Sequence, residues 1–238
     1  MGRKDAESYY DEFASWYERE RGRGYHAFLD RMEIETAAPH IRDREILEAG
    51  CGTGLVLEGL ARLARRAVGV DVSGGMLEKA RDRGLEVVKG SVTDLPFEDD
   101  SFDAVVSFKV LAHVPDLRRA LAECARVTRP GGTLVLEFYN RNSIRYLVKQ
   151  LKPAHKVAES TFDTQVHTAY HSWEDILNLL PANVSPIGRA GIRVVAPTYH
   201  FYRLPGLGRV TERLEELASA SSLRRYGGFM IGIFRVNE

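Results

Sequence analysis

Cysteine is scarce in this sequence, since Cys51 and Cys124 are the only two in 238 residues. Two cysteines cannot build the disulfide framework that stabilises many small secreted domains. The N-terminus lacks the apolar core of a signal peptide, and no apolar run reaches membrane-spanning length. We therefore expect a cytoplasmic protein without a membrane span.

An excess of charge of either sign is also missing, because 33 Lys and Arg residues balance 33 Asp and Glu residues. A protein that holds nucleic acid through phosphate contacts usually shows a basic excess. The composition therefore argues against a nucleic-acid partner. The hydrophobic share of 44% is enough to bury a substantial core.

Short apolar segments alternate with amphipathic ones along most of the chain. The pattern predicts strands at 44–49, 67–71, 85–89, 103–108 and 133–139, with helices between them, including one at 55–66. Two more strand candidates, at 192–196 and 228–236, flank a charged helix at about 209–219. Alternation with short connections favours an α/β fold with a parallel sheet covered on both faces.

A glycine-rich loop, E-A-G-C-G-T-G at residues 48–54, joins the end of the first strand to the start of a helix. It is not a dinucleotide fingerprint, because Leu55 or Leu57 stands where G-x-G-x-x-G needs its third glycine. It is not a Walker loop either, because the Gly-Lys-Ser/Thr ending is absent. The ligand of this loop therefore need not carry a phosphate.

Four further segments follow the loop in a fixed order: G-V-D at 69–71, G-S-V-T-D-L-P-F at 90–97, S-F-D-A-V-V-S at 101–107 and R-P-G-G-T-L-V-L at 129–136. With the loop they resemble the class I S-adenosylmethionine-dependent methyltransferases, in particular the type 11 small-molecule branch, over about residues 45–140. The resemblance implies a Rossmann-like, mostly parallel seven-stranded sheet with helices on both faces. It also implies an antiparallel last strand and a small cap.

The resemblance suggests one domain over residues 1–238. Its expected parts are an N-terminal helical lid at 1–40, a cofactor-binding core at 44–140, an insertion or cap at 141–171, and the C-terminal part of the sheet at 172–238.

The implied cofactor is S-adenosylmethionine, with S-adenosylhomocysteine as its product. In the family's pattern Glu48 would orient the ammonium group, and Asp71 would accept the ribose hydroxyl protons. The full set of expected cofactor contacts is Tyr10, Tyr17, Glu48, Gly50, Cys51, Gly52, Gly54, Asp71, Val72, Met76, Ser91, Val92, Asp94 and Phe108.

Two positions depart from the family's pattern. Many relatives have Asp where Ser91 stands, so either Ser91 or Asp94 could serve the adenine, and Asp94 could instead only shape the turn. Lys109 follows the fourth strand, where a cation near a sulfonium is unfavourable. We expect its ammonium group to point into solvent.

Candidate bases and acceptor contacts come from histidines and tyrosines. His113 follows the fourth strand and is the candidate general base. The candidate acceptor contacts are Tyr139, His167, Tyr170, His171, Tyr199 and His200. His167 and His171 have metal-ligand spacing, but the H-E-x-x-H glutamate and a third ligand are missing, so we expect no metal.

The expected activity is transfer of a methyl group to an O, N or C atom of a small-molecule acceptor, by in-line displacement that depends mainly on positioning. Two alternatives stay open at this point. One is a methyltransferase of RNA or protein, and the other is a regulatory protein that binds S-adenosylmethionine without catalysis. A nicotinamide oxidoreductase is disfavoured by the failed fingerprint.

Overall fold

The computed structural model of the protein describes residues 24–151, 156–158, 161–162, 167–195 and 207–238. Its helices are α1 (Tyr25–Ile41), α2 (Leu55–Ala61), α3 (Gly74–Asp82), α4 (Leu117–Arg126), α5 (Ile144–Leu151), α6 (Trp173–Leu177) and α7 (Leu207–Ala220). Its strands are β1 (Glu45–Ala49), β2 (Arg66–Asp71), β3 (Glu86–Lys89), β4 (Phe102–Ser107), β5 (Thr128–Tyr139), β6 (Lys156–Ala158), β7 (Thr161–Phe162), β8 (Val184–Ile192) and β9 (Phe229–Val236).

Seven strands form one sheet in the order β3-β2-β1-β4-β5-β9-β8, and β6 pairs with β7 in a separate two-stranded sheet. The pairs from β3 to β5 are parallel. The last strand, β9, runs antiparallel to both of its neighbours, β5 and β8. The predicted mostly parallel seven-stranded sheet with an antiparallel last strand is confirmed.

Consecutive residues of a strand point to opposite faces of the sheet. Apolar residues therefore lie on both faces, and helices cover each face. On one face, Ile46 of β1 belongs to the buried cluster that includes Phe28 of α1 and Leu60 of α2. On the other face, its neighbour Leu47 belongs to the cluster that includes Leu121 of α4. Burial of each such side chain contributes about 1.5–3 kcal/mol, so the strands are held from both sides.

The strand β8 lies upstream of its predicted position at 192–196. Its pairing with β9 runs from Val184 opposite Val236 to Ile192 opposite Phe229, with a bulge near Pro186. It occupies an edge of the sheet, where a proline and polar residues are tolerated because only one side must pair. The apolar pattern therefore missed it.

Two helices also differ from expectation. The helix α2 ends at Ala61 rather than near residue 66, because the N–H groups of Arg65 and Arg66 donate to the carbonyl oxygen of Arg44 beside β1. The helix α5 lies in the stretch 141–171, where the apolar pattern predicts no helix.

The N-terminal lid prediction falls mostly outside the described residues, since residues 1–23, with Tyr10 and Tyr17, are not among them. The described part is α1, whose Tyr25 and Phe28 are buried in the core. This helix is therefore a core element that also carries Asp30 to the cavity described below.

Within the described ranges, none of the helices is long and apolar enough to cross a membrane.

Candidate functional site

A cavity of about 220 Å³ lies where the loops after β1, β2, β3 and β4 meet. Parallel strands place these loops at one edge of the sheet, so residues distant in sequence become neighbours. The predicted site residues that line it are Glu48, Gly50, Cys51, Gly52, Asp71, Val72, Met76, Ser91, Val92, Phe108 and His113.

Three glycines give the loop after β1 a backbone that other residues rarely adopt. The φ angle is 84° at Gly50, 53° at Gly52 and 80° at Gly54, all in the left-handed region. A Cβ at Gly50 would overlap Val110, and one at Gly54 would overlap Leu85. Gly54 lies outside the cavity lining, so what the structure shows for it is close packing of the loop rather than the predicted contact with a ligand.

The Asp71 carboxylate connects two of the loops. Its Oδ2 accepts a hydrogen bond from the Gly52 N–H at 2.9 Å, and its Oδ1 accepts one from the Ser73 N–H at 3.0 Å. Ser73 caps α3 with its own hydroxyl, which accepts from the Met76 N–H. Because each carboxylate oxygen can accept more than one hydrogen bond, Asp71 can also receive donors from a ligand in the cavity.

Two polar atoms of the cavity wall are buried without a hydrogen-bond partner in the described part of the chain: Glu48 Oε2 and Thr53 Oγ1. Burial, followed by the nearby charge of Glu33, raises the pKa of Glu48 well above its usual range. A buried polar atom without a partner costs about 1–3 kcal/mol. A ligand with a cationic donor would relieve that cost, so these residues fit the ammonium group of S-adenosylmethionine.

The loop after β3 separates the two residues that the sequence left as alternatives. Ser91 lines the cavity, and its hydroxyl lies 2.8 Å from that of Thr93. Asp94 is outside the lining, with 84% of its side chain exposed and an ion pair to Arg119 at 3.8 Å. The turn directs its carboxylate away from the cavity, so the expected contact of Asp94 with an adenine finds no support in its position.

The prediction that Lys109 points into solvent is wrong. Its side chain is 9% exposed, and its Nζ lies 2.6 Å from both Asp30 Oδ1 and Glu33 Oε2. Its backbone N–H also donates to Glu137 Oε1 at 3.1 Å. Both ion-pair partners belong to α1, more than seventy residues away in sequence. The residues around Lys109 therefore cannot predict these ion pairs.

His113 ends a short 3₁₀ turn and lines the cavity. Its Nδ1 lies 2.9 Å from the carbonyl oxygen of His167, which can only accept, so Nδ1 carries the proton. The lone pair is then on Nε2, 3.4 Å from the Tyr139 hydroxyl. Burial lowers the pKa of His113 below its usual value, so the ring is a neutral base near neutral pH.

The predicted acceptor residues within the described ranges lie beside His113 but do not line the cavity itself. The ring centroid of Tyr139 is 5.5 Å from that of His113 and 5.5 Å from that of Tyr170. The segment that carries His167 and His171 docks here through hydrogen bonds, one of them from the His171 N–H to the Tyr139 carbonyl oxygen. The other two predicted residues, Tyr199 and His200, fall outside the described residues.

Sequence reasoning missed several residues of the lining, among them Asp30, Thr53 and Thr93. Thr53 and Thr93 stand inside the motifs G-C-G-T-G and G-S-V-T-D, so the motifs themselves could have pointed to them. Asp30 belongs to a distant helix, and only the tertiary structure brings it to the cavity.

Neither a metal site nor a reactive thiol is present in the part of the chain that the structure describes. No three His, Cys, Asp or Glu side chains there are grouped so that they could hold a metal ion. Both Cys51 and Cys124 are buried, and burial raises the pKa of each thiol, which keeps it protonated. A protonated thiol is a poor nucleophile.

Residues 47–136 match the family model of a methyltransferase domain. A ubiquinone biosynthesis O-methyltransferase of Alkalilimnicola ehrlichii is 39% identical over 114 residues, which are 45% of this chain and 46% of that protein. A probable S-adenosylmethionine-dependent methyltransferase of Mycolicibacterium smegmatis is 38% identical over 100 residues, which are 41% of this chain and 39% of that protein. The chain therefore spans less than half the length of either relative.

Solved structures share the fold at low sequence identity. A possible histamine N-methyltransferase from Thermotoga maritima superposes with a TM-score of 0.70 at 23% identity, covering 98% of this chain and 99% of that one. The [4+2]-cyclase SpnF superposes with a TM-score of 0.60 at 18% identity, covering 92% of this chain and 84% of that one. The fold thus serves more than one reaction. The more specific finding is that residues 47–136, which carry most of the motif series, match a methyltransferase domain.

Proposed function

We propose that the protein transfers a methyl group from S-adenosylmethionine to an O, N or C atom of a small-molecule acceptor. The observation that carries the proposal is the single cavity that the glycine loop, Glu48, Asp71 and His113 all line. The bound cofactor supplies a methyl group already activated by a positively charged sulfur. The chain must add alignment and exclusion of water, which contribute about 7–11 kcal/mol in favourable systems.

In this proposal, different residues of the cavity bind different groups of the cofactor. Glu48, with its buried Oε2, receives the ammonium group. Asp71 receives the ribose hydroxyls on the oxygens that already hold the loop. The apolar wall for the adenine comes from Val72, Met76 and Val92.

His113 is the proposed general base. Its bond to the His167 carbonyl oxygen fixes the ring and keeps the lone pair on Nε2, which can take a proton from the acceptor. The Tyr139 hydroxyl, 3.4 Å from Nε2, marks the side from which the acceptor reaches the base.

Two observations support a small molecule as the acceptor. The cavity is small, with a volume of about 220 Å³. The relative from Alkalilimnicola ehrlichii is named for ubiquinone biosynthesis, which concerns a small molecule.

Calorimetric titration of the purified protein tests which cofactor it binds. We expect saturable binding of S-adenosylmethionine and S-adenosylhomocysteine without added metal, and no comparable binding of NADH. Tight NADH binding with no response to the other two ligands would reject the proposal.

Replacement of Asp71 by alanine should weaken S-adenosylhomocysteine binding by about 1–3 kcal/mol, because charged hydrogen bonds to the ligand and to the loop are lost. The matched control is Asp94→Ala, which removes a carboxylate from the neighbouring loop but outside the cavity lining. Calorimetry should show the control within error of the parent protein. Equal affinities for the parent and the Asp71 variant would exclude the ribose role.

A further inference from the structure

A second group of polar and aromatic side chains lies next to Tyr139, beyond the cavity. Arg145 of α5 and Arg193, which follows β8, converge above the start of β9. Their Cδ atoms lie 3.2 and 3.4 Å from the place where a Cβ on Gly228 would stand. Their Cζ atoms lie 5.0 and 5.6 Å from the ring centroid of Phe229.

The charge of Arg145 has no acidic counterpart in the described part of the chain. Its Nη1 is buried without a hydrogen-bond partner there, and its guanidinium group lies over the rings of Tyr139 and Phe229. By contrast, Arg129 lies 2.6 Å from Asp103 and 3.1 Å from Glu45. Burial of part of a guanidinium group without a partner is costly, so an anion beside Arg145 would stabilise the arrangement.

Other positive charges add to that of Arg145. Burial, and next the charge of Arg145, lowers the pKa of Arg193 to about 10. Lys149 lies on the same helix as Arg145. Its Nζ is 5.5 Å from the ring centroid of Tyr170. Like charges gathered in a partly buried region favour a negatively charged ligand.

This cationic group adjoins the proposed base. The Cζ of Arg145 lies 4.8 Å from the ring centroid of Tyr139, whose hydroxyl faces Nε2 of His113. A single aromatic ring thus separates the guanidinium group from the histidine. The rings of Tyr139 and Phe229, which are 5.3 Å apart, offer an apolar surface beside the charge.

We propose that the methyl acceptor carries an oxyanion, a carboxylate or a phosphate, which Arg145 binds while the reacting atom faces His113. This inference rests on the proposed methyltransferase function and names the class of its acceptor. A guanidinium fork matches either oxyanion with two parallel hydrogen bonds. The aromatic rings suit a flat or apolar body attached to the oxyanion.

The test is an NMR titration of the protein saturated with S-adenosylhomocysteine, using benzoate, phenyl phosphate and benzyl alcohol as probes. Benzoate or phenyl phosphate should bind at least about tenfold more tightly than the neutral alcohol. The preference between the two anions identifies the oxyanion. In Arg145→Gln the advantage of the anions should disappear, and Arg145→Lys should keep part of it.

The matched control is Arg189→Gln. Arg189 also stacks on an aromatic ring and has a buried Nε without a partner in the described residues, but its ring, Trp173, packs against Phe234 on the other face of the sheet. This variant should keep the preference for anions. Equal binding of the alcohol, or an unchanged preference in a folded Arg145→Gln that still binds S-adenosylhomocysteine, would overturn the inference. Loss of S-adenosylhomocysteine binding by the parent protein would instead refute the proposed function.

Discussion

Replacement of Lys109 by methionine is expected to lower the free energy of unfolding by about 3–5 kcal/mol. The ammonium group lies 2.6 Å from carboxylate oxygens of Asp30 and Glu33, and Glu33 is fully buried. Removal of the cation leaves these charges in a medium where an uncompensated carboxylate is costly. Chemical denaturation followed by circular dichroism measures the loss.

The pH dependence and two further variants test the cause. Burial raises the pKa values of Glu48 and Glu137, whereas the charge of Lys109 lowers both. Without that charge their folded-state pKa values rise further, and protonation then stabilises the folded state. The stability deficit of the variant should therefore narrow as the pH is lowered from neutral.

The double variant Lys109→Met with Glu33→Gln should recover part of the lost stability, because it removes one of the stranded charges. In the control Lys89→Met, an exposed lysine is changed, and the effect should stay within about 0.5 kcal/mol. An Lys109→Met protein as stable as the parent would show that the ion pairs contribute nothing to stability.

Replacement of His113 by alanine is expected to lower kcat by about 10²- to 10⁴-fold while S-adenosylhomocysteine affinity changes little. The hydrogen bond to the His167 carbonyl oxygen keeps the ring proton on Nδ1. The lone pair is therefore on Nε2, where it can accept a proton from the acceptor. Steady-state rates with an acceptor found by screening give kcat, and calorimetry gives the affinity.

The pH profile distinguishes a base from a packing residue. Burial lowers the pKa of His113, so the neutral, active form persists below the usual value of about 6.5. The rate should therefore be flat above that pH and fall as the pH drops through the lowered pKa. His113→Asn retains a donor for the His167 carbonyl but has no base, and it should lose both the rate and this acid limb. Parent-like rates in His113→Asn would remove His113 from the chemical step.

The sheet and most of the cavity could be predicted because their signals are local. Local motifs predict several strands together with the turns that follow them. Examples are the loop at 48–54, G-V-D at 69–71 and the strand at 103–108. In a parallel sheet the ends of such strands share one edge, so the ordered motifs also predict which residues meet. Ser91 and Val92 reach the cavity in this way.

Residues whose placement depends on distant elements could not be predicted. The setting of Lys109 is decided by two carboxylates of α1, and the position of β8 is decided by its pairing with β9. Asp94 differs from Ser91 only in the direction of one turn, which the spacing of the motif does not encode. The grouping of Arg145 and Arg193 arises because Phe229 lies between segments that are far apart in sequence.

The central claim is that one cavity binds S-adenosylmethionine with its sulfur on the side of His113. A crystal structure with the product S-adenosylhomocysteine tests this claim most directly. We predict the ribose hydroxyls within hydrogen-bond distance of Asp71, the ammonium group at Glu48, and the sulfur on the side of the cavity that His113 lines. A ligand bound elsewhere on the protein, or a ribose that leaves Asp71 uncontacted, would contradict the account.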